Sequence, residues 1–228
     1  LTIVGGSLGA GAVSGGGSSG AQAGRAYGDA IFLQGDQTLS FAPAADDTVT
    51  VSGVIADMTG SADSSGGTGA GGLSMDGAGR LVLAAGNSFT GGVTLHSGTV
   101  ELAAVGAAGT GAIRFAGLSA TLEIDAAALA NPPTNTLLGL RPGDALRLDG
   151  FAAQSWSYAN DVLSVSGLFA GASETLNFAA PGAAPRFALD AETGYSTLTL
   201  LDTPPTLTPI ADQTLEATGP NGAVATFS

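Results

Sequence analysis

Gly79-Arg80-Leu81-Val82-Leu83, Gly98-Thr99-Val100-Glu101-Leu102 and Ala120-Thr121-Leu122-Glu123-Ile124 are three versions of one phrase. A small residue opens each, and the third and fifth residues are aliphatic. Apolar residues alternating with others at period two mark a strand with one buried face. From Leu81 to Val100 to Leu122 the phrase returns after 19 and then 22 residues. A second set lies between the copies: Gly92-Val93-Thr94-Leu95 and Ala112-Ile113-Arg114-Phe115, offset by 20 residues. Short strands recurring about every 20 residues predict a solenoid, in which each turn buries its apolar face on its neighbours. Leu81, Val100 and Leu122 are then expected to stack on one inward face of parallel rungs over residues 79–126. Gly91-Gly92, Ser97-Gly98 and Gly109-Thr110-Gly111 provide the sharp corners.

Working upstream, Ala30–Leu33, Thr38–Phe41, Thr48–Val51 and Val54-Ile55 read as further strands, and Thr59–Gly72 as a Gly/Ser loop. Residues 1–28 read as a Gly-rich flank: a short apolar strand, then Gly/Ala/Ser-rich sequence. Residues 29–130 form the repeat region. Downstream, Asn131-Pro132-Pro133 interrupts any ladder, because proline has no N–H to donate. Strands at Ala145–Leu148, Val162–Val165, Thr175–Phe178 and Thr197–Leu200 are irregularly spaced. Residues 131–202 are therefore expected to be a β-rich cap of antiparallel hairpins or terminal rungs. Pro204-Pro205 marks a linker, and residues 203–228 hold only the first strands of an incomplete domain. The fold class expected is all-β: a solenoid closed by an irregular antiparallel C-terminal cap.

Composition narrows function. The 228 residues include 37 Gly, and 44% are hydrophobic. So much glycine disfavours helix, and so much apolar content rules out an acidic disordered tail. Against 19 acidic residues stand 6 basic ones, all Arg, and the net charge is −13. No basic stripe is available for nucleic acid or an anionic membrane surface. Cysteine is absent, which excludes disulfides and thiolate metal sites. No apolar run approaches the roughly 18 residues of a membrane span. The chain opens on Leu1 without a visible signal peptide, which predicts a processed product or a fragment of a longer protein.

Gly86-Asn87-Ser88-Phe89-Thr90-Gly91-Gly92-Val93-Thr94-Leu95-His96-Ser97-Gly98-Thr99-Val100-Glu101-Leu102 resembles the passenger-associated transport repeat of bacterial autotransporters. Gly77–Leu83 and Gly109–Ile113 fit the same pattern, and Asp29–Asp57 resembles the sequence that precedes it. The resemblance implies a right-handed parallel β-helix, export to the extracellular bacterial cell surface, and often adhesion. Pro204–Ile210 and Asp212–Ala217 resemble the opening of a hyalin-repeat or other immunoglobulin-like domain. That likeness implies neighbouring domains in the parent protein.

Chemical motifs are sparse. Gly5-Gly6-Ser7-Leu8-Gly9 fits the nucleophile elbow, but the sole histidine, His96, lies in the repeat, and glycine-rich sequence follows Ser7. Gly67-Thr68-Gly69-Ala70-Gly71-Gly72 fits a dinucleotide fingerprint without its strand–helix context. Asp46, Asp47, Asp57 and Asp63 are candidate calcium ligands, with solvated turn carboxylates as the plainer reading. Asp46-Asp47 is also the candidate carboxylate pair for glycan hydrolysis. Without a second histidine, His96 reads as solvated or turn-bonded rather than as a zinc ligand. Asn87 is expected to bond neighbouring backbone at a corner. Trp156 and Tyr158 share one strand face and read as packing rather than as a sugar platform. No catalytic or cofactor-binding residue is assigned, and calcium is the one candidate ion. The expected role is structural or adhesive: a stiff spacer or display scaffold. The expected partners are further copies, neighbouring domains, or a host or matrix glycan or protein. A filament subunit and a β-helical polysaccharide-active enzyme are the alternatives.

Overall fold

The computed structural model describes residues 1–11, 27–61, 67–167, 173–177 and 185–202. The tail at 203–228, most of the Gly-rich flank and Asp63 lie outside them. The chain winds in successive turns. β1 (Thr2–Ile3), β2 (Gly6–Leu8) and β3 (Ile31–Leu33) form the first, and β4 (Thr38–Phe41), β5 (Thr48–Val51) and β6 (Ile55–Asp57) the second. β7 (Gly72–Met75) and β8 (Arg80–Leu83) follow, then β9 (Val93–Leu95) and β10 (Thr99–Leu102). The fifth turn is β11 (Ile113–Phe115), β12 (Thr121–Ile124) and the short helix α1 (Ala126–Leu129). The sixth is β13 (Leu137–Leu138) and β14 (Ala145–Asp149).

Each turn gives one strand to each of two main sheets. The first sheet runs β1-β4-β7-β9-β11-β13 and is parallel throughout. The second runs β2-β5-β8-β10-β12-β14, also parallel. β3 and β6 pair in parallel as well. The stack is in register. Val49, Leu81, Val100, Leu122 and Leu146 form one inward column, as the 19- and 22-residue offsets predict. Phe41, Met75, Leu95 and Phe115 form another from the first sheet. All nine are at most 1% exposed. Burying side chains of this size contributes roughly 1.5–3 kcal/mol each, so these columns are the main cohesive element of the rod.

Glycine makes the tight corners. Gly98 has φ +65°, and a Cβ there would sit 2.5 Å from the carbonyl oxygens of Gly77 and Gly79 in the turn below. Only a residue without a side chain fits both the backbone angle and the approach.

The parallel stack is longer than the repeat phrases alone suggest. Thr2 pairs with Ser40 and Gly6 with Val49, so the first strands of the flank already belong to the solenoid. At the other end Thr121 pairs in parallel with Ala145, beyond Pro132-Pro133. The prolines fall between α1 and β13, outside the ladder, so they interrupt nothing.

β15 (Ala153–Ala159), β16 (Val162–Gly167) and β17 (Ser173–Asn177) form an antiparallel sheet. β18 (Phe187–Glu192) and β19 (Tyr195–Leu200) form a hairpin, and β19 pairs antiparallel with β14. This is the expected cap. A two-way bond at buried Ser196 ties β19 to the start of β15 and the loop before it. The Ser196 hydroxyl donates to the Phe151 carbonyl at 2.8 Å and accepts from the Ala153 N–H at 2.9 Å. Trp156 stands edge-on to Phe187 with ring centroids 5.4 Å apart. Trp156 and Tyr158 both pack against the core, which is the packing role expected of them.

Candidate functional site: a charged ladder on the second sheet

The inward columns of the second sheet are aliphatic, so alternation sends Arg80, Glu101, Glu123 and Arg147 outward. Glu101 lies directly opposite Glu123, and Glu123 opposite Arg147. Two like charges side by side repel. Arg80 offsets this by reaching over β10. Its two terminal nitrogens donate to both oxygens of Glu123 at 2.7–2.8 Å, while Nε lies 3.2 Å from Glu101. Arg147 donates from Nε to Asp149 at 2.7 Å and lies 3.8 Å from Glu123. Its guanidinium carbon sits 3.9 Å over the ring of Tyr195 in the cap. The ladder therefore runs from β8 to β19.

The carboxylates outnumber the guanidiniums here. Oxygens of Glu101, Glu123 and Asp125 lie within 4.8 Å of one another. Burial first, then Asp149 and Glu101, pushes the Glu123 carboxyl up to about 7, against the pull of Arg80 and Arg147. Burial also raises Glu101, with Arg80 opposing and the adjoining Asp125 carboxyl adding to the rise. Arg80 already engages both Glu123 oxygens, so the counter-charge at this spot is a guanidinium. Arg80, Glu101 and Glu123 fill outward positions of the repeat phrases, where alternation predicts exposure but not convergence of charges across three strands.

Elsewhere polar side chains serve the corners. Asn87 accepts from the Ile55 N–H at 2.7 Å and donates to the Ala107 carbonyl at 2.6 Å, so it links the turn below to the turn above, as expected. Asp57 is fully buried. It accepts from the N–H groups of Gly60, Gly71 and Thr90 and from the Thr90 hydroxyl, at 2.5–3.0 Å. Burial raises its carboxyl, but these four bonds outweigh it and hold the group below the ordinary carboxylate value. The segment with the Gly67–Gly72 motif leads into β7 and supplies one of these bonds; no helix follows it. Asp46 and Asp47 sit in the exposed turn between β4 and β5, apart from the buried Asp57 knot.

Asp76 and His96 occupy equivalent corners of consecutive turns. His96 Nδ1 is 2.8 Å from Asp76 Oδ1, and the same nitrogen is 3.3 Å from the Ser74 hydroxyl. Ser40 and Ser74 both donate to Asp76. A hydrolytic relay needs the acid on one ring nitrogen and the serine on the other. Here both approach Nδ1, so the arrangement is a turn-bonded histidine. Ser7 lies in β2 opposite Thr50, not on a strand-to-helix elbow.

Residues 73–102 match the family model of the passenger-associated-transport-repeat. The chain carries one such repeat. It spans most of β7 and all of β8, β9 and β10, which is two successive turns, and includes Arg80, Asn87, His96 and Glu101. The repeat is typical of the passenger segments of autotransporters, which are secreted surface proteins. No curated protein and no solved structure matches the chain.

Proposed function

We propose that this chain is a passenger segment of a secreted surface protein, that it acts as a stiff spacer or display scaffold, and that it carries no chemistry of its own. The observation that supports this reading most is the unbroken in-register stack from the first turn to the sixth. A rod of paired backbone resists bending and holds attached domains or loops away from the cell. The polar side chains described above are turned to the same end: Asn87, Asp57 and Ser196 join neighbouring segments of backbone. Its partners in this reading are neighbouring domains of the parent protein, further copies of the chain, or a host or matrix glycan or protein.

One observation favours a second reading, a polysaccharide-active enzyme. Three carboxyls converge on the outer face of a parallel sheet, and one is pushed up to about 7, the range suited to a general acid. The Arg80 fork on Glu123 argues against it, because a proton donor must be free to meet its substrate.

Deleting residues 93–112 removes one full turn, since Val93 and Ile113 are register partners. The spacer reading expects a folded rod shorter by about 4.8 Å in small-angle scattering, and no turnover across a polysaccharide panel. Depolymerisation by the intact chain that Glu123→Gln abolishes would overturn it in favour of the enzyme.

A further inference from the structure

We propose that the corner between the two main sheets is a self-association surface. Along it two copies of this chain lie side by side in opposite directions, Arg141 of each facing Asp46 and Asp47 of the other, and Arg114 facing Asp76.

The arginines are the starting point. Arg80 and Arg147 are held in the ladder on the second sheet. Arg114, Arg141 and Arg186 are exposed and form no ion pair among the described residues. The Arg141 guanidinium reaches only the Ala116 carbonyl, at 3.5 Å. All three lie toward the cap end of one edge of the rod. Arg114 is in β11, just before the corner that leads to β12, and Arg141 is in the next corner, between β13 and β14. Arg186 precedes β18, whose partner β19 pairs with β14. The same edge is acidic at its other end. Asp46 and Asp47 are exposed in the corner of the second turn and form no ion pair among the described residues. Asp76, which also holds His96, stands at the corner of the third, and His96 itself at the fourth.

The turns stack in register about 4.8 Å apart, so this order makes the edge complementary to itself. A two-fold axis at His96 sets the sixth turn of one copy against the second of the other, and the fifth against the third. Arg141 and Arg114 then each meet carboxylates. Copies aligned in the same direction set arginine against arginine and aspartate against aspartate. Leu118, 69% exposed on the fifth corner, comes opposite exposed Ala78 on the third. A polyanion is the other occupant that unpaired arginines suit, but along this edge it meets Asp46, Asp47 and Asp76. The proposal rests on the spacer reading only in taking further copies as the partner. It can fail without that reading, since a monomeric rod is still a spacer.

The test is sedimentation equilibrium of the intact chain at fixed pH, from micromolar to millimolar concentration, in about 10 mM and about 300 mM salt. Wild type should dimerise at the lower salt and at least about tenfold more weakly at the higher. Arg141→Glu alone, and Asp46→Arg with Asp47→Arg, should each lose the dimer. Mixed, these two variants restore opposite charges at both contacts and should associate at least about tenfold more tightly than either does with itself. Circular dichroism checks that the variants fold, and Arg114→Glu, mixed with Asp76→Arg, repeats the test at the inner contacts should either not fold. Wild type that stays monomeric at low salt, a dimer indifferent to Arg141→Glu, or variants that do not pair when mixed would overturn the proposal. Monomeric wild type that binds dextran sulfate through Arg141 would overturn it in favour of a polyanion.

Discussion

The guanidinium of Arg80 on β8 closes on the carboxylate of Glu123 on β12, passing over the whole of β10, with donor–acceptor distances of 2.7–2.8 Å. One side chain thus spans three strands that the backbone joins only pairwise. Removing the cation alone should leave Glu123 facing Glu101 with only the longer contact to Arg147. Arg80→Met is therefore expected to cost about 2–3 kcal/mol at pH 8. The double variant Arg80→Met, Glu123→Met should recover most of that, since an apolar pair of similar size needs no counter-charge. Denaturant melts of the two variants and wild type form the check. Equal destabilisation in the single and double variants would show that the pair's charge is irrelevant.

Asn87 supports a second prediction. Its amide serves one backbone group in the turn below and one in the turn above, and Ile55, whose N–H it accepts from, is fully buried. Asn87→Ala orphans both groups and should cost about 2 kcal/mol. Asn87→Asp keeps the acceptor for Ile55 but has no donor for Ala107, so it should remain destabilised at neutral pH. Amide exchange at Ile55 should quicken in the alanine variant and stay slower in the aspartate variant.

The repeat phrases made the core legible because inward residues there obey two rules at once, alternation within a strand and recurrence between turns. Leu81, Val100 and Leu122 satisfy both, and they stack. The outer turns satisfied only the first. From Leu39 to Leu73 the register partners are 34 residues apart, because the intervening turn carries a long insertion, so recurrence is lost though stacking is not. At Ala145 the signal was hidden by prolines that lie in a loop. Asn87 was readable, since an asparagine at a glycine-rich corner has few other uses. Asp57 was not. Its four donors come from three separate segments, and sequence cannot show convergence.

Asp57 gives a prediction about acid stability. Its folded value is held below 3.8, so its ionised form stabilises the native state. That contribution is fully present above the unfolded value and disappears as pH falls through the lower, folded one. Wild type should therefore lose stability steeply below about pH 4. Asp57→Asn, which turns an amide donor toward groups that need an acceptor, should be destabilised at pH 6 by about 2–3 kcal/mol. Its acid slope should be shallower. Thermal melts of both proteins between pH 3 and 6 test this, and parallel curves would remove Asp57 as the source of the slope.

Two glycines separate backbone strain from crowding. Gly35 has φ +74° and open space where a Cβ would go, whereas Gly98, at φ +65°, has two carbonyl oxygens of the turn below at 2.5 Å. Gly35→Ala should lose about 1 kcal/mol, the cost of a left-handed residue with a side chain. Gly98→Ala adds a collision that only separation of two turns relieves. Because those oxygens belong to Gly77 and Gly79, which lead into β8, the separation would pull β10 from β8 and lengthen the Thr99 N–H to Gly79 carbonyl bond, now 2.9 Å. The expected loss is at least about 3 kcal/mol, counting strain and the opened core. Amide exchange should accelerate at Thr99 in Gly98→Ala and be unaltered there in Gly35→Ala. Equal losses from the two substitutions would mean that the turns are not packed closely enough at this corner for glycine to be required.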